Sequence, residues 1–183
     1  MMKVLDTTVD AGMLVKDLEL FLSTYNLWDE KQISLTSISG NNDWDCTTGS
    51  MLDMPKPERY YSTLNDGLQN TYMGELIKKY KNYYRWRLLC VTPMSTYTIH
   101  HDTFENKINK RIHIPITTNE HAYFCFFDKE PSDGEEVKET YYNLKPGTVY
   151  EANTSILHTA INHGQTSRYH MVGVRYEDAQ IDK

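Results

Sequence analysis

The sequence predicts a mainly β protein with two helices ahead of the strands, the strands folding into a double-sheet jelly roll. Three observations carry this. From Tyr84 onward, short runs of β-branched and aromatic residues recur between turn residues at regular spacing. Before Tyr84, two segments instead carry apolar residues at helical spacing. The chain of 183 residues also holds 14 tyrosines, a residue suited to half-buried pleated surfaces.

The elements follow in order. Met1 to about Ser23 reads as a strand-like start and then a helix, with Asp10 as cap and Leu14, Leu18, Phe21 and Leu22 as its apolar stripe. Gln32 to Thr36 alternates as a short strand, and Ser37 to about Tyr60 is polar and irregular. A loop of that length in a compact domain is usually functional or mobile, so it is a candidate lid, with Trp44 and Met51 available to cover an apolar patch. Leu68, Tyr72, Leu76 and Tyr80 are spaced by four and predict a second helix packed on a sheet. Strands are then expected at Trp86–Val91, Thr96–His101, Arg111–Ile116, Ala122–Phe127, Tyr141–Leu144, Thr148–Ala152, Leu157–Asn162 and Arg168–Arg175. Pro131-Ser132-Asp133-Gly134 reads as a loop, Pro146-Gly147 fits a type II turn, and Glu177 to Lys183 is a polar tail. Eight or so strands after two helices describe a jelly roll, an architecture that includes the cupins. We take residues 1–183 as one domain, with a helical and loop part over about 1–83 and a jelly-roll core over about 84–176.

Bulk numbers exclude several classes. Net charge is −6, which gives no support to nucleic-acid binding through a basic face. No apolar stretch approaches the roughly 20 residues that span a bilayer. Cys46, Cys90 and Cys125 form no paired framework, and the start of the chain lacks the pattern of a secretory leader, so a reduced, cytoplasmic location is expected.

Chemistry concentrates at Tyr97-Thr98-Ile99-His100-His101-Asp102-Thr103. In a strand, alternate side chains share a face, so His100 and Asp102 point one way and His101 the other. An imidazole and a carboxylate side by side are half a metal site, and His158 is the best candidate for a third ligand. Two histidines and one carboxylate, with open positions left, suit non-haem Fe(II). A bidentate 2-oxo acid can occupy two of those positions and dioxygen the third. Such an acid needs a cation for its far carboxylate, and Arg168 lies on the strand after His158. His170 shares Arg168's face and reads as a satisfied sheet histidine. Arg111 and His113 point together, opposite Ile112, Ile114 and Ile116, as a cavity lining would. Arg87 has an edge-strand charge as its plainer reading, and Trp28, Trp44 and Trp86 read as packing residues, with Trp44 alone placed to touch substrate.

The ordered set Arg87, Pro93, His100-His101-Asp102, Arg111-Ile112-His113, Leu144-Lys145-Pro146-Gly147, His158-Thr159-Ala160-Ile161-Asn162 and Arg168-Tyr169-His170 resembles the aspartyl/asparaginyl β-hydroxylase family of Fe(II)- and 2-oxoglutarate-dependent oxygenases. The likeness spans about residues 84–176. It implies a double-stranded β-helix and hydroxylation, by O2, of an amino acid or of a protein or peptide side chain of the aspartyl/asparaginyl or prolyl type. It implies His100, Asp102 and His158 as iron ligands, and Arg168 with His113 at the 2-oxoglutarate carboxylate. Arg111 and Arg87 match positions associated with substrate or cosubstrate carboxylates. Some family members lack the metal-binding carboxylate that this chain has in Asp102, and many have Pro-Gly where it has Pro93-Met94. Two other readings fit the residues: a jelly-roll ligand-binding module, and a cupin-type metalloenzyme that uses no 2-oxoglutarate.

Overall fold

The computed structural model describes residues 1–50, 54–102, 107–130, 132 and 136–178. Its strands are β1 (Met2–Asp6), β2 (Gln32–Ser34), β3 (Thr36–Ser37), β4 (Thr63–Leu64), β5 (Tyr84–Val91), β6 (Ser95–Thr96), β7 (Lys107–Thr117), β8 (Ala122–Phe127), β9 (Glu139–Tyr142), β10 (Val149–Asn153), β11 (His158–Asn162) and β12 (Arg168–Asp178). A six-stranded sheet runs β1-β10-β7-β12-β5-β2, and a four-stranded sheet runs β6-β11-β8-β9; β3 and β4 pair apart. The pairings are antiparallel, and the longest joins β7 to β12 from Thr117↔Tyr169 to Lys107↔Asp178. The protein is the expected jelly roll.

Helix α1 (Ala11–Tyr25) starts where Asp10 accepts a hydrogen bond from the Met13 amide, and it buries Leu14, Leu18, Phe21 and Leu22. That stripe meets Ile112, Ile114, Ile116, Leu88 and Met171 on the outer face of the larger sheet, forming the main core. Alternation along β7 therefore sends its isoleucines to this core and Arg111 and His113 to the opposite face. A smaller cluster, Phe124, Phe126, Leu144 and Ala152, packs elsewhere. Gly147 has φ +83°, as the expected turn requires.

Helix α2 (Tyr72–Lys79) is shorter than its periodicity predicted, because Thr71 caps it and Leu68 and Tyr80 fall outside. Leu68 belongs to a preceding 3-10 turn whose carbonyl would lie 2.0 Å from any Cβ at Gly74, so the turn docks only on a glycine. The irregular stretch 37–60 also departs from expectation. Trp44 takes the packing role and not a substrate contact: it lies on α1, with ring centroids 5.0 Å from Phe21 and 4.7 Å from Tyr25, and does not line the cavity described below. Arg85 donates to the carbonyls of Thr47 and Gly49 and to the Glu58 carboxylate, so one buried guanidinium pins both sides of the segment between them. Met51, Thr103, Pro131, Asp133-Gly134 and the tail from residue 179 lie outside the described residues. Glu177, expected in the tail, belongs to β12.

Candidate metal centre

The stretch that carries His100 is not the regular strand expected over Thr96–His101, since β6 ends at Thr96. Beyond it the chain follows β11 through isolated contacts. Tyr97 N donates to Ala160 O at 2.9 Å, and His100 and His158 exchange both backbone hydrogen bonds at 3.0 and 2.8 Å. Thr96 faces Ile161 and His100 faces His158, so four steps on one side answer three on the other. That extra residue is a bulge, which re-aims side chains. It sets the two imidazoles against each other, ring centroids 4.4 Å apart. Asp102 N donates to Thr154 O at 2.8 Å, keeping the chain alongside β11's approach.

One ligand atom each from His100, Asp102 and His158 lies within 4.8 Å of the other two. Their surroundings fit a divalent metal ion. His100 Nδ1 is 2.8 Å from Thr98 O and His158 Nδ1 is 2.8 Å from Ile156 O. A carbonyl only accepts, so both Nδ1 atoms carry the proton and both Nε2 lone pairs are left for a ligand. Burial pulls His158 down to about 4, which keeps it uncharged near neutrality. Asp102 accepts at Oδ2 from Arg111 Nε at 2.7 Å, while its Oδ1 faces His100 Nε2 at 3.9 Å. Burial works against the Asp102 charge, but Arg111 outweighs it and holds the carboxyl well below its usual range. Harder oxygen and nitrogen donors with no thiolate suit Fe(II) better than a structural zinc.

The three residues open onto a cavity of about 910 Å³. Its floor is the larger sheet: Arg85, Arg87, Leu89 and Val91 of β5, Arg168, His170 and Val172 of β12, and Arg111 and His113 of β7. Phe124 of β8 and Ala160 of β11 line it from the smaller sheet, and Gly49, Ser50 and Met54 to Pro57 bring part of the expected lid stretch to it. Charge is unevenly matched. Arg85 pairs with Glu58 and Arg111 with Asp102. Arg87, far from being an edge charge, is 7 % exposed; Nη1 donates to Gln32 Oε1 at 3.2 Å, and Nε has no partner among the described residues. Arg168 is 4 % exposed and bonds only to His170 among the described residues. His113 is buried with both ring nitrogens unpartnered among the described residues, and burial, Arg168 and Arg111 hold it uncharged. Every candidate site residue read from the sequence thus lines one cavity. His101, expected to point away, is exposed but also borders the cavity, whereas His121 and His163 are exposed and do not line it.

Sequence reasoning missed Gln32, Tyr97 and the Asn109–Thr154 pair, in which Thr154 Oγ1 meets Asn109 Oδ1 at 3.2 Å. Tyr97 sits in the motif itself and was legible only as a strand former. Gln32 is 55 positions from its partner Arg87, and nothing local marks it.

Fold and site together define a jelly roll with a His-Asp-His group at an arginine-lined cavity. No family model and no curated protein sequence matches the chain. Solved structures do match its fold. The non-haem α-ketoglutarate-dependent epimerase SnoN from nogalamycin biosynthesis is 14 % identical over 97 % of this chain and 78 % of its own, with TM-score 0.52. Its complex with Fe3+, α-ketoglutarate and nogalamycin RO gives the same TM-score. An N-substituted L-amino acid dioxygenase from Burkholderia ambifaria AMMD is 11 % identical over 97 % of this chain and 86 % of its own, with TM-score 0.53.

Proposed function

We propose that the protein is an Fe(II)- and 2-oxoglutarate-dependent dioxygenase that hydroxylates an amino acid or a protein or peptide side chain, of the aspartyl/asparaginyl or prolyl type. The observation that carries this reading is the convergence of His100, Asp102 and His158 beside a cavity in which Arg87 and Arg168 have no carboxylate partner among the described residues. Substrate C–H, O2 and 2-oxoglutarate would give C–OH, succinate and CO2. Fe(II), held by His100, Asp102 and His158, would supply the activation of O2 that side chains alone do not provide. Arg168, with His113 beside it, receives the far carboxylate of 2-oxoglutarate. Arg87 and Arg111 Nη1, which has no partner among the described residues, remain for a carboxylate on the substrate. The cavity volume suits two small ligands at once. Iron and α-ketoglutarate in the SnoN complex, and an amino acid dioxygenase sharing the fold, support the reading.

The deciding experiment is metal analysis followed by a succinate-release assay with Fe(II) and a panel of amino acids and peptides. Succinate formation that needs both Fe(II) and 2-oxoglutarate is expected. No consumption of 2-oxoglutarate under any condition would leave a binding module, and turnover indifferent to Arg168 would leave a cupin-type enzyme.

A further inference from the structure

Three arginines on the cavity floor or its rear face show how this chain treats a guanidinium whose charge is to be matched. Arg85 meets Glu58, Arg111 meets Asp102, and Arg175 meets Glu151. Arg168 is handled differently. Its Nε donates to His170 Nε2 at 3.0 Å, and its Nη2 lies 3.1 Å from His170 Nδ1. The exposures are 4 % for Arg168 and 2 % for His170. Among the described residues neither has another hydrogen-bond partner. Strand β12 places the two side chains on the same face, two residues apart, so the imidazole lies directly along the guanidinium. Burial, then Arg168 and His113, push His170 far below the usual imidazole range, so it is an uncharged acceptor. An acceptor without charge orients an arginine and leaves its charge unmatched, whereas a carboxylate in the same place would cancel it.

We propose that His170 is a positioning residue for Arg168: it fixes the guanidinium as a neutral acceptor and so keeps a full positive charge available for the far carboxylate of 2-oxoglutarate. This inference rests on the cavity being a 2-oxoglutarate site. His170 itself touches no reacting atom in this scheme; its effect passes through Arg168.

The test compares two substitutions of nearly equal shape that differ in charge. His170→Gln supplies a neutral acceptor, and His170→Glu supplies an anion. Binding of 2-oxoglutarate is measured by calorimetry on the full chain loaded with Ni(II), which blocks turnover, with thermal melts of each variant. His170→Gln is expected to bind within about threefold of the parent. His170→Glu is expected to bind roughly 10- to 100-fold more weakly, the loss of one charge-assisted contact. In the Fe(II) assay the change should fall on the 2-oxoglutarate KM and not on kcat. Equal affinities for the Gln and Glu variants overturn the inference. If the Glu variant does not fold, His170→Leu decides. It removes the acceptor, and binding about tenfold weaker than for His170→Gln is expected; equal binding by the Leu and Gln variants overturns the inference. A parent protein that binds no 2-oxoglutarate overturns the proposed function, and this inference with it.

Discussion

Removing Arg168 should lower cosubstrate affinity without lowering stability, an unusual combination for a side chain only 4 % exposed. Its Nε is engaged by His170, which leaves other guanidinium donors for a ligand carboxylate. Each charge-assisted hydrogen bond contributes about 1.5–3 kcal/mol, so losing two costs at least about 3 kcal/mol. At about 1.4 kcal/mol per decade, Arg168→Leu should weaken 2-oxoglutarate binding by roughly 100-fold or more. Arg168→Lys keeps the charge but loses the planar fork, and a loss of about tenfold is expected. Stability moves by a different balance. An unmatched buried cation carries a penalty of several kcal/mol, while an orphaned His170 acceptor costs about 1–3 kcal/mol. The melting temperature of Arg168→Leu without ligand should therefore equal or exceed that of the parent. Calorimetry on the Ni(II)-loaded proteins and thermal melts of the apoproteins measure the two quantities. Unchanged 2-oxoglutarate affinity in both variants would refute the anion-site reasoning. A fall in melting temperature beyond about 5 °C, more than 1 kcal/mol in a chain of 183 residues, would refute the claim that the charge is unmatched.

Other outcomes are expected. His100→Ala, Asp102→Ala and His158→Ala should each abolish Fe(II) retention, checked by metal content, with circular dichroism unchanged; full Fe(II)-dependent activity in all three would remove the triad assignment. Glu58→Ala strands Arg85 in a site where both side chains are at most 2 % exposed, so it should cost about 3–5 kcal/mol in denaturant unfolding. Burial holds His113 and His170 far below the usual imidazole range, so below about pH 6.5 the unfolded chain takes up protons that the folded one refuses. Stability should therefore fall with pH by up to about 1.4 kcal/mol per unit for each, and His113→Phe should flatten that slope. Asp6 shows the same sign in a lower window. Lys79 and Thr8 hold its carboxyl below the usual range, so its contribution is present above that range and lost as pH falls through it. Asp6→Asn should thus lower the melting temperature at pH 7 and match the parent in strong acid.

The sequence by itself determined the strand-rich half, the helix stripes, and the residues that gather at the cavity. These signals are local: alternation along Arg111–Ile116 separates a core face from a cavity face because a strand's side chains alternate whatever lies across from it. Only the tertiary structure decided how those residues are used. The bulge that turns His100 toward His158 depends on pairing between segments 58 positions apart, and periodicity misread it as a regular strand. The pairing of Arg111 with Asp102, of Arg85 with Glu58, and of Arg168 with a neutral histidine is likewise a matter of which partner is in reach after folding. Charge on a residue is written in the sequence. Whether that charge is matched or left open for a ligand depends on distance and burial, which arise only when the sheets close around the cavity.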